Sequence, residues 1–179
     1  MKTYTIQPGQ SNFRPLDPWR PRFNVREFTV RALFRHSCYF SLTDWENDKD
    51  WYDWNKLKGI TDFFSANNSR SCMVAWRPDK KNAWFQVAAY MNYPGTDVQI
   101  TPLGIVQADT EFSVEVRMNG DEAMFEYSDG LVRNTARLHY RHPWVSREIG
   151  TWMGGANNEP GPYGGKATQY MELEAEVKY

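Results

Sequence analysis

Asn68-Ser-Arg-Ser-Cys-Met-Val-Ala-Trp-Arg77, the breaker Pro78-Asp-Lys-Lys-Asn82, and Ala83-Trp-Phe-Gln-Val-Ala-Ala-Tyr-Met-Asn92 form the stretch on which the reading of the chain turns. Two runs of strand length flank a short polar turn, which is the pattern of a β-hairpin. Both runs are apolar on both faces: Cys72, Val74 and Trp76 alternate with Met73 and Ala75, and Trp84, Ala88 and Tyr90 alternate with Phe85, Val87 and Ala89. A hairpin with one face in water alternates apolar with polar residues. This one is therefore expected to be covered twice, by a second sheet on one side and by loops, another subunit or a ligand on the other.

Working outward, residues 111–127 make two alternating runs joined by Asn119-Gly120, a dipeptide suited to a two-residue hairpin turn. The register expected from that turn pairs Met118 with Asp121, Arg117 with Glu122, Val116 with Ala123 and Val114 with Phe125. Residues 98–107 read as a strand in which Pro102 and Gly104 mark an edge or a bulge. Residues 131–140 read as another strand. Toward the N-terminus, residues 2–7 and 25–34 alternate regularly, and residues 38–42 look like the return partner of the latter. Residues 56–64 lead into the central hairpin, with Gly59 as a break. Residues 12–24 carry Pro15, Pro18 and Pro21 among Phe13, Trp19 and Phe23, an extended proline-rich arm or loop, because proline cannot donate to a ladder. Residues 150–165 are turn-rich, and residues 167–178 close the chain as an alternating strand. No segment holds a helical period beyond a turn or two. The expected fold is a single all-β domain over residues 1–179: an antiparallel β-sandwich of jelly-roll or concanavalin-like type, its first and last strands neighbours.

The length, 179 residues, suits one domain with a substantial core. Lysines and arginines number 21 against 22 acids, a net charge of −1 that supplies no global field for nucleic acid or an anionic membrane. No apolar run reaches membrane-spanning length, and no apolar segment follows Lys2 as in a secretory signal, so the expected location is a virion or the host cytoplasm. Cys38 and Cys72 lie in apolar strand-like runs and read as buried free thiols. Aromatics reach 16%, with eight tryptophans, an excess that favours both strands and contact surfaces.

The segment 44–55 is the densest in chemistry. Asp44, Glu46, Asp48, Asp50 and Asp53 crowd the oxygen ligands that calcium takes, yet the EF-hand spacing is missing and Lys49 opposes a cation, so a solvated acidic loop is the simpler reading. Trp45, Trp51, Tyr52 and Trp54 must bury somewhere or bind something. With Asn67, Asn68 and Arg70 they form the kind of set that stacks on a sugar and holds its hydroxyls. Against this stands a packing role at the sandwich ends or a subunit interface. Arg70 and Arg77 offer a basic pocket, and Trp19 a docking residue on the arm. Catalytic signatures are missing: no nucleophile elbow, His-Glu-x-x-His, phosphate loop or dinucleotide fingerprint occurs, and His36, His139 and His142 do not form a metal-ligand spacing. The expectation is a protein that is not an enzyme and has no cofactor.

Asp53-Trp-Asn-Lys-Leu-Lys-Gly59, Asn68-Ser-Arg70 through Trp76-Arg77, Ala89-Tyr90, and Trp152-Met-Gly-Gly-Ala-Asn157 with Pro160 resemble the ordered landmarks of short uncharacterised jelly-roll-like proteins of tailed phages and Bacteroidetes genomes. The proline arm and the loop 157–165 depart from that pattern. The resemblance implies a sandwich fold and a phage or prophage origin. The leading functional expectation is a virion-associated structural protein, a capsid decoration, head-fibre or tail accessory, assembling on virion proteins or on itself through aromatic surfaces. The alternative is a carbohydrate-binding, lectin-like module stacking sugars on Trp45, Trp51 and Trp54. A third is an intracellular phage protein holding a small molecule near Arg70 and Arg77.

Overall fold

Alternation of apolar and polar residues runs through most of the chain, and strands follow it. A computed structural model describes residues 1–7, 12–16, 20–39, 53–65, 69–79 and 82–152, and the backbone of 169–178. In chain order the strands are β1 (Lys2–Ile6), β2 (Pro21–Phe23), β3 (Glu27–Phe34), β4 (Asn55–Asp62), β5 (Ser71–Pro78) and β6 (Trp84–Asn92). They continue as β7 (Gln99–Gln107), β8 (Glu111–Asn119), β9 (Glu122–Ser128), β10 (Arg133–His139), β11 (Val145–Ile149) and β12 (Gln169–Lys178). They form two six-stranded sheets, ordered β1-β12-β3-β8-β9-β10 and β2-β11-β4-β5-β6-β7. Every pairing is antiparallel. The antiparallel sandwich expected from the alternation is the observed architecture, and β1 lies beside β12 as expected.

The core fills the space between the sheets. Phe28, Val30, Ala32 and Phe34 of β3 with Phe112, Val114 and Val116 of β8 meet Cys72, Val74 and Trp76 of β5 and Phe85, Val87, Ala89 and Met91 of β6. Phe34 ties the layers together, its ring centroid 4.7 Å from both Trp76 and Phe85. Each such fully buried large side chain contributes about 1.5–3 kcal/mol. Cys38 and Cys72 are buried free thiols, matching the sequence reading.

The local departures have physical causes. The β8–β9 loop is Gly120-Asp121, flanked by the pair Asn119 and Glu122, so Val116 faces Phe125 and Arg117 faces Met124. Gly120 has φ +61° at the first central position, the requirement of a type II′ turn. This displaces the expected pairing by two residues, which leaves every side chain on its expected face. Residues 36–38 form a 3-10 turn and not the start of a return strand; both edges of β3 are taken by the distant β8 and β12. Residues 40–42 lie outside the described residues. Gly59 does not break the chain but sits mid-strand in β4 opposite Met73, and a Cβ there would stand 2.4 Å from Met73 Cβ and from the Cys72 carbonyl oxygen. The bulge expected near Pro102 and Gly104 is present, as a register shift in the β6–β7 ladder.

The proline arm is docked. Phe13 is buried, Thr5 bridges Arg14, Asn12 bridges Trp152, and Pro21 opens β2, the edge strand beside β11, where a missing N–H is tolerated. Arg22 of β2 donates to Glu148 Oε1 at 2.8 Å (Nε) and 2.5 Å (Nη2), and Lys58 Nζ lies 3.1 Å from Glu148 Oε2.

Candidate functional site: the outer face of the second sheet

Alternation along β5 and β6 sends Cys72, Val74, Trp76, Phe85, Val87, Ala89 and Met91 inward, and therefore Met73, Ala75, Arg77, Gln86, Ala88 and Tyr90 outward. Met73, Ala75 and Ala88 are buried without belonging to the core between the sheets, so the outer face is itself covered, as the doubly apolar hairpin required. Part of that cover comes from the chain. The Arg77 guanidinium lies 4.2 Å from the centroid of the Trp54 ring, and Lys56 Nζ lies 4.7 Å from that of Trp152.

Cross-strand pairing places Arg77 opposite Gln86. Arg77 Nε donates to Gln86 Oε1 at 2.8 Å, and Gln86 Nε2 donates to Asp79 Oδ1 at 2.8 Å. The guanidinium is thus oriented by an aromatic plane and by a two-step hydrogen-bond relay. Four residues on from Gln86 and on the same face stands Tyr90, half-buried, whose phenol is raised in pKa first by burial and then by the charge of Asp53. It stays protonated through the neutral range as a hydrogen-bond donor. Burial, and secondarily Arg147, lowers the Lys56 ammonium, and burial lowers Arg147. Arg147 still carries its charge at neutral pH, because a guanidinium starts so high. Cations stacked on aromatic planes beside a phenolic donor suit a ligand with apolar ring faces, hydroxyls and acidic groups.

Of the residues singled out from sequence, Trp54 and Arg77 are brought together here. Arg70 is elsewhere: it precedes β5, stacks over Tyr93 at 5.1 Å and lies 3.5 Å from Asp62. Arg70 and Arg77 therefore sit at opposite ends of β5, about 23 Å apart along an extended strand and on alternate faces. Trp19, Trp45, Trp51, Tyr52 and Asn68, with Asp44, Glu46, Asp48 and Asp50, lie outside the described residues. Among the described residues no cluster of three or more His, Cys, Asp or Glu could hold a metal, and no helix is long and apolar enough to cross a membrane. The sequence reading missed Gln86, Asp79, Lys56, Trp152 and Arg147. A signal for Gln86 was present, since a hairpin turn centred on residues 81–82 sets it opposite Arg77.

No protein-family profile matches the chain, and no curated protein matches it in sequence. Solved structures do. A protein of unknown function from Saccharomyces cerevisiae superposes with TM-score 0.58 at 7% identity, over 99% of this chain and 88% of that one. An alginate lyase from Klebsiella pneumoniae gives 0.58 at 11% identity, over 86% of this chain and 60% of the lyase. An alginate lyase from Pseudomonas aeruginosa gives 0.55 at 10% identity, over 87% and 65%. The match thus spans less than two thirds of the length of either lyase. At these identities what is shared is the fold, a jelly-roll-like antiparallel sandwich. The expectation of a non-enzymatic protein, drawn from missing sequence motifs, is corrected by this finding: the fold is one that enzymes use.

Proposed function

We propose that the outer face of the second sheet binds an acidic polysaccharide. The observation that carries this reading is the pairing of Arg77 with Trp54 beside Lys56 with Trp152: a pyranose ring stacks on the aromatic planes, and its carboxylate pairs with the oriented guanidinium. The fold shared with two alginate lyases supports it. So does the charge on this face, where Arg77, Lys56 and Arg147 outnumber the carboxylates placed beside them among the described residues, Asp79 and Asp53. The carbohydrate-binding alternative thus takes precedence over the virion-component reading, for which the fold comparisons offer no support.

The test is a tryptophan-fluorescence titration of the full chain with alginate, pectate and a neutral β-glucan, repeated with Arg77→Ala. The acidic polymers are expected to shift the emission and the neutral one to leave it unchanged. Arg77→Ala is expected to weaken the acidic interaction about tenfold, the loss of one charge-assisted contact. The same samples are followed by ultraviolet absorbance for unsaturated uronate ends, which report cleavage by elimination. No response to any acidic glycan, or an equal response to the neutral one, overturns the reading.

A further inference from the structure

The β2–β3 connection, the β8–β9 turn and the segment after β10 line a half-open cavity of about 310 Å³ that shares no lining residue with the outer face of the second sheet. Its polar lining is Asn24, Arg26, Asn119 and His142, and its apolar wall is Val25 and Met118. Among the described residues no carboxylate lines it. Two tight turns preform the walls. Asn24 has φ +47°, in the left-handed region that Asn tolerates, and its N–H donates to the Trp144 carbonyl at 2.9 Å; Gly120 opens the opposite turn. The Arg26 carbonyl accepts from the Met118 N–H at 2.8 Å, which ties the two walls together.

Three features are unexplained by packing. Arg26 is exposed and its guanidinium has no ion-pair partner among the described residues. Both ring nitrogens of His142 are buried without a hydrogen-bond partner among the described residues, a cost that the packing of this wall leaves standing. Trp144, next but one to His142 and bonded through its carbonyl to the Asn24 N–H, is 68% exposed. The size lies at the lower end of small-molecule sites. We propose that this cavity binds an acidic monosaccharide unit, its carboxylate or sulfate on Arg26, its hydroxyls on Asn24 and Asn119, and its ring toward the exposed Trp144, whose carbonyl accepts from Asn24. This site stands on its own observations and does not depend on the outer face.

The experiment is a two-dimensional NMR titration of the full chain with free glucuronate, galacturonate and a sulfated hexose, with glucose, acetate and inorganic sulfate as comparisons. Sugar acids are expected to shift the resonances of Asn24, Arg26, Asn119 and His142. Arg26→Gln, at an exposed position, is expected to weaken binding about tenfold. Whether the uronates or the sulfated hexose bind more tightly identifies the acidic group. Trp144→Ala is expected to weaken the sugar acids and leave acetate unaffected. The proposal fails if the sugar acids leave these resonances unmoved, if glucose binds as well as they do, if acetate or sulfate alone binds as tightly, or if Arg26→Gln binds like the wild type. Because none of these ligands is a polymer and Arg77 is untouched, failure here is distinguishable from failure of the outer face.

Discussion

Replacing Glu148 by Gln is the sharpest test of how the arm and the second sheet are held together. Glu148 joins three strands, β2 through Arg22, β11 through its own backbone and β4 through Lys58. The Lys58 side chain is 4% exposed, that of Glu148 13% and that of Arg22 30%. The isosteric amide keeps the shape and removes the charge that faces the buried Lys58 ammonium. Breaking a buried pair from one side costs about 3–5 kcal/mol. Arg22 recovers hydration because it is partly exposed, so the lower figure applies, about 3 kcal/mol. For a chain of this size that lowers Tm by about 6–12 °C. Lys58→Met behaves differently: it removes the desolvated ammonium while Glu148 keeps both contacts to Arg22, and stability should stay within about 1 kcal/mol of the wild type. Scanning calorimetry on the two variants reads the asymmetry. Equal losses, or a Glu148→Gln loss under about 1 kcal/mol, would refute the reasoning, since either result would make packing and not charge the source of the effect.

Gly59→Ala should cost about 1–3 kcal/mol in denaturant unfolding, because the new Cβ meets the backbone of β5 at 2.4–2.6 Å and the strands must separate; an unchanged midpoint would show that β4 and β5 yield at no cost. Burial lowers the pKa of His142 below its ordinary 6.5. The unfolded chain therefore binds the extra proton first, and this group's contribution to stability, complete above 6.5, is lost as pH falls toward the folded value. Thermal midpoints measured from pH 8 to 5 should fall less steeply for His142→Gln, and parallel curves would contradict the assignment. Cys38 and Cys72 are both 0% exposed, and burial pushes the Cys72 thiol up, so neither should react with a thiol reagent until the protein unfolds. Modification of the native protein at rates typical of free thiol would disprove this.

The strands legible in the sequence are those with a one-sided or doubly apolar pattern, such as β3, β5, β6, β8 and β12. The short β2 and β11 went unread because a three-residue strand carrying Pro21, or a five-residue strand with Arg147 and Glu148, has too little alternation to stand out. Gly59 read as a break because glycine interrupts propensity. Only the neighbouring backbone of β5 shows that it permits a close approach. In the candidate site, Trp54 and Arg77 were legible as separate residues. Their stacking, and the separation of Arg77 from Arg70, follow from where the strands run.

Side-chain alternation is local, so the chain alone determined the fold class, the faces of the long strands, the burial of both cysteines and the need for cover on both sides of the central hairpin. A period of two is unchanged by a slip of two residues. The pattern from 111 to 127 therefore could not distinguish Val116 against Ala123 from Val116 against Phe125, and the turn geometry at Gly120 decided it. The neighbours of β3, the stacking of Arg77 on Trp54, and the cavity built from residues 24–26, 118–120 and 142 join segments that do not adjoin in the chain. Strand pairing and packing across long stretches of sequence, which no local pattern encodes, place them together.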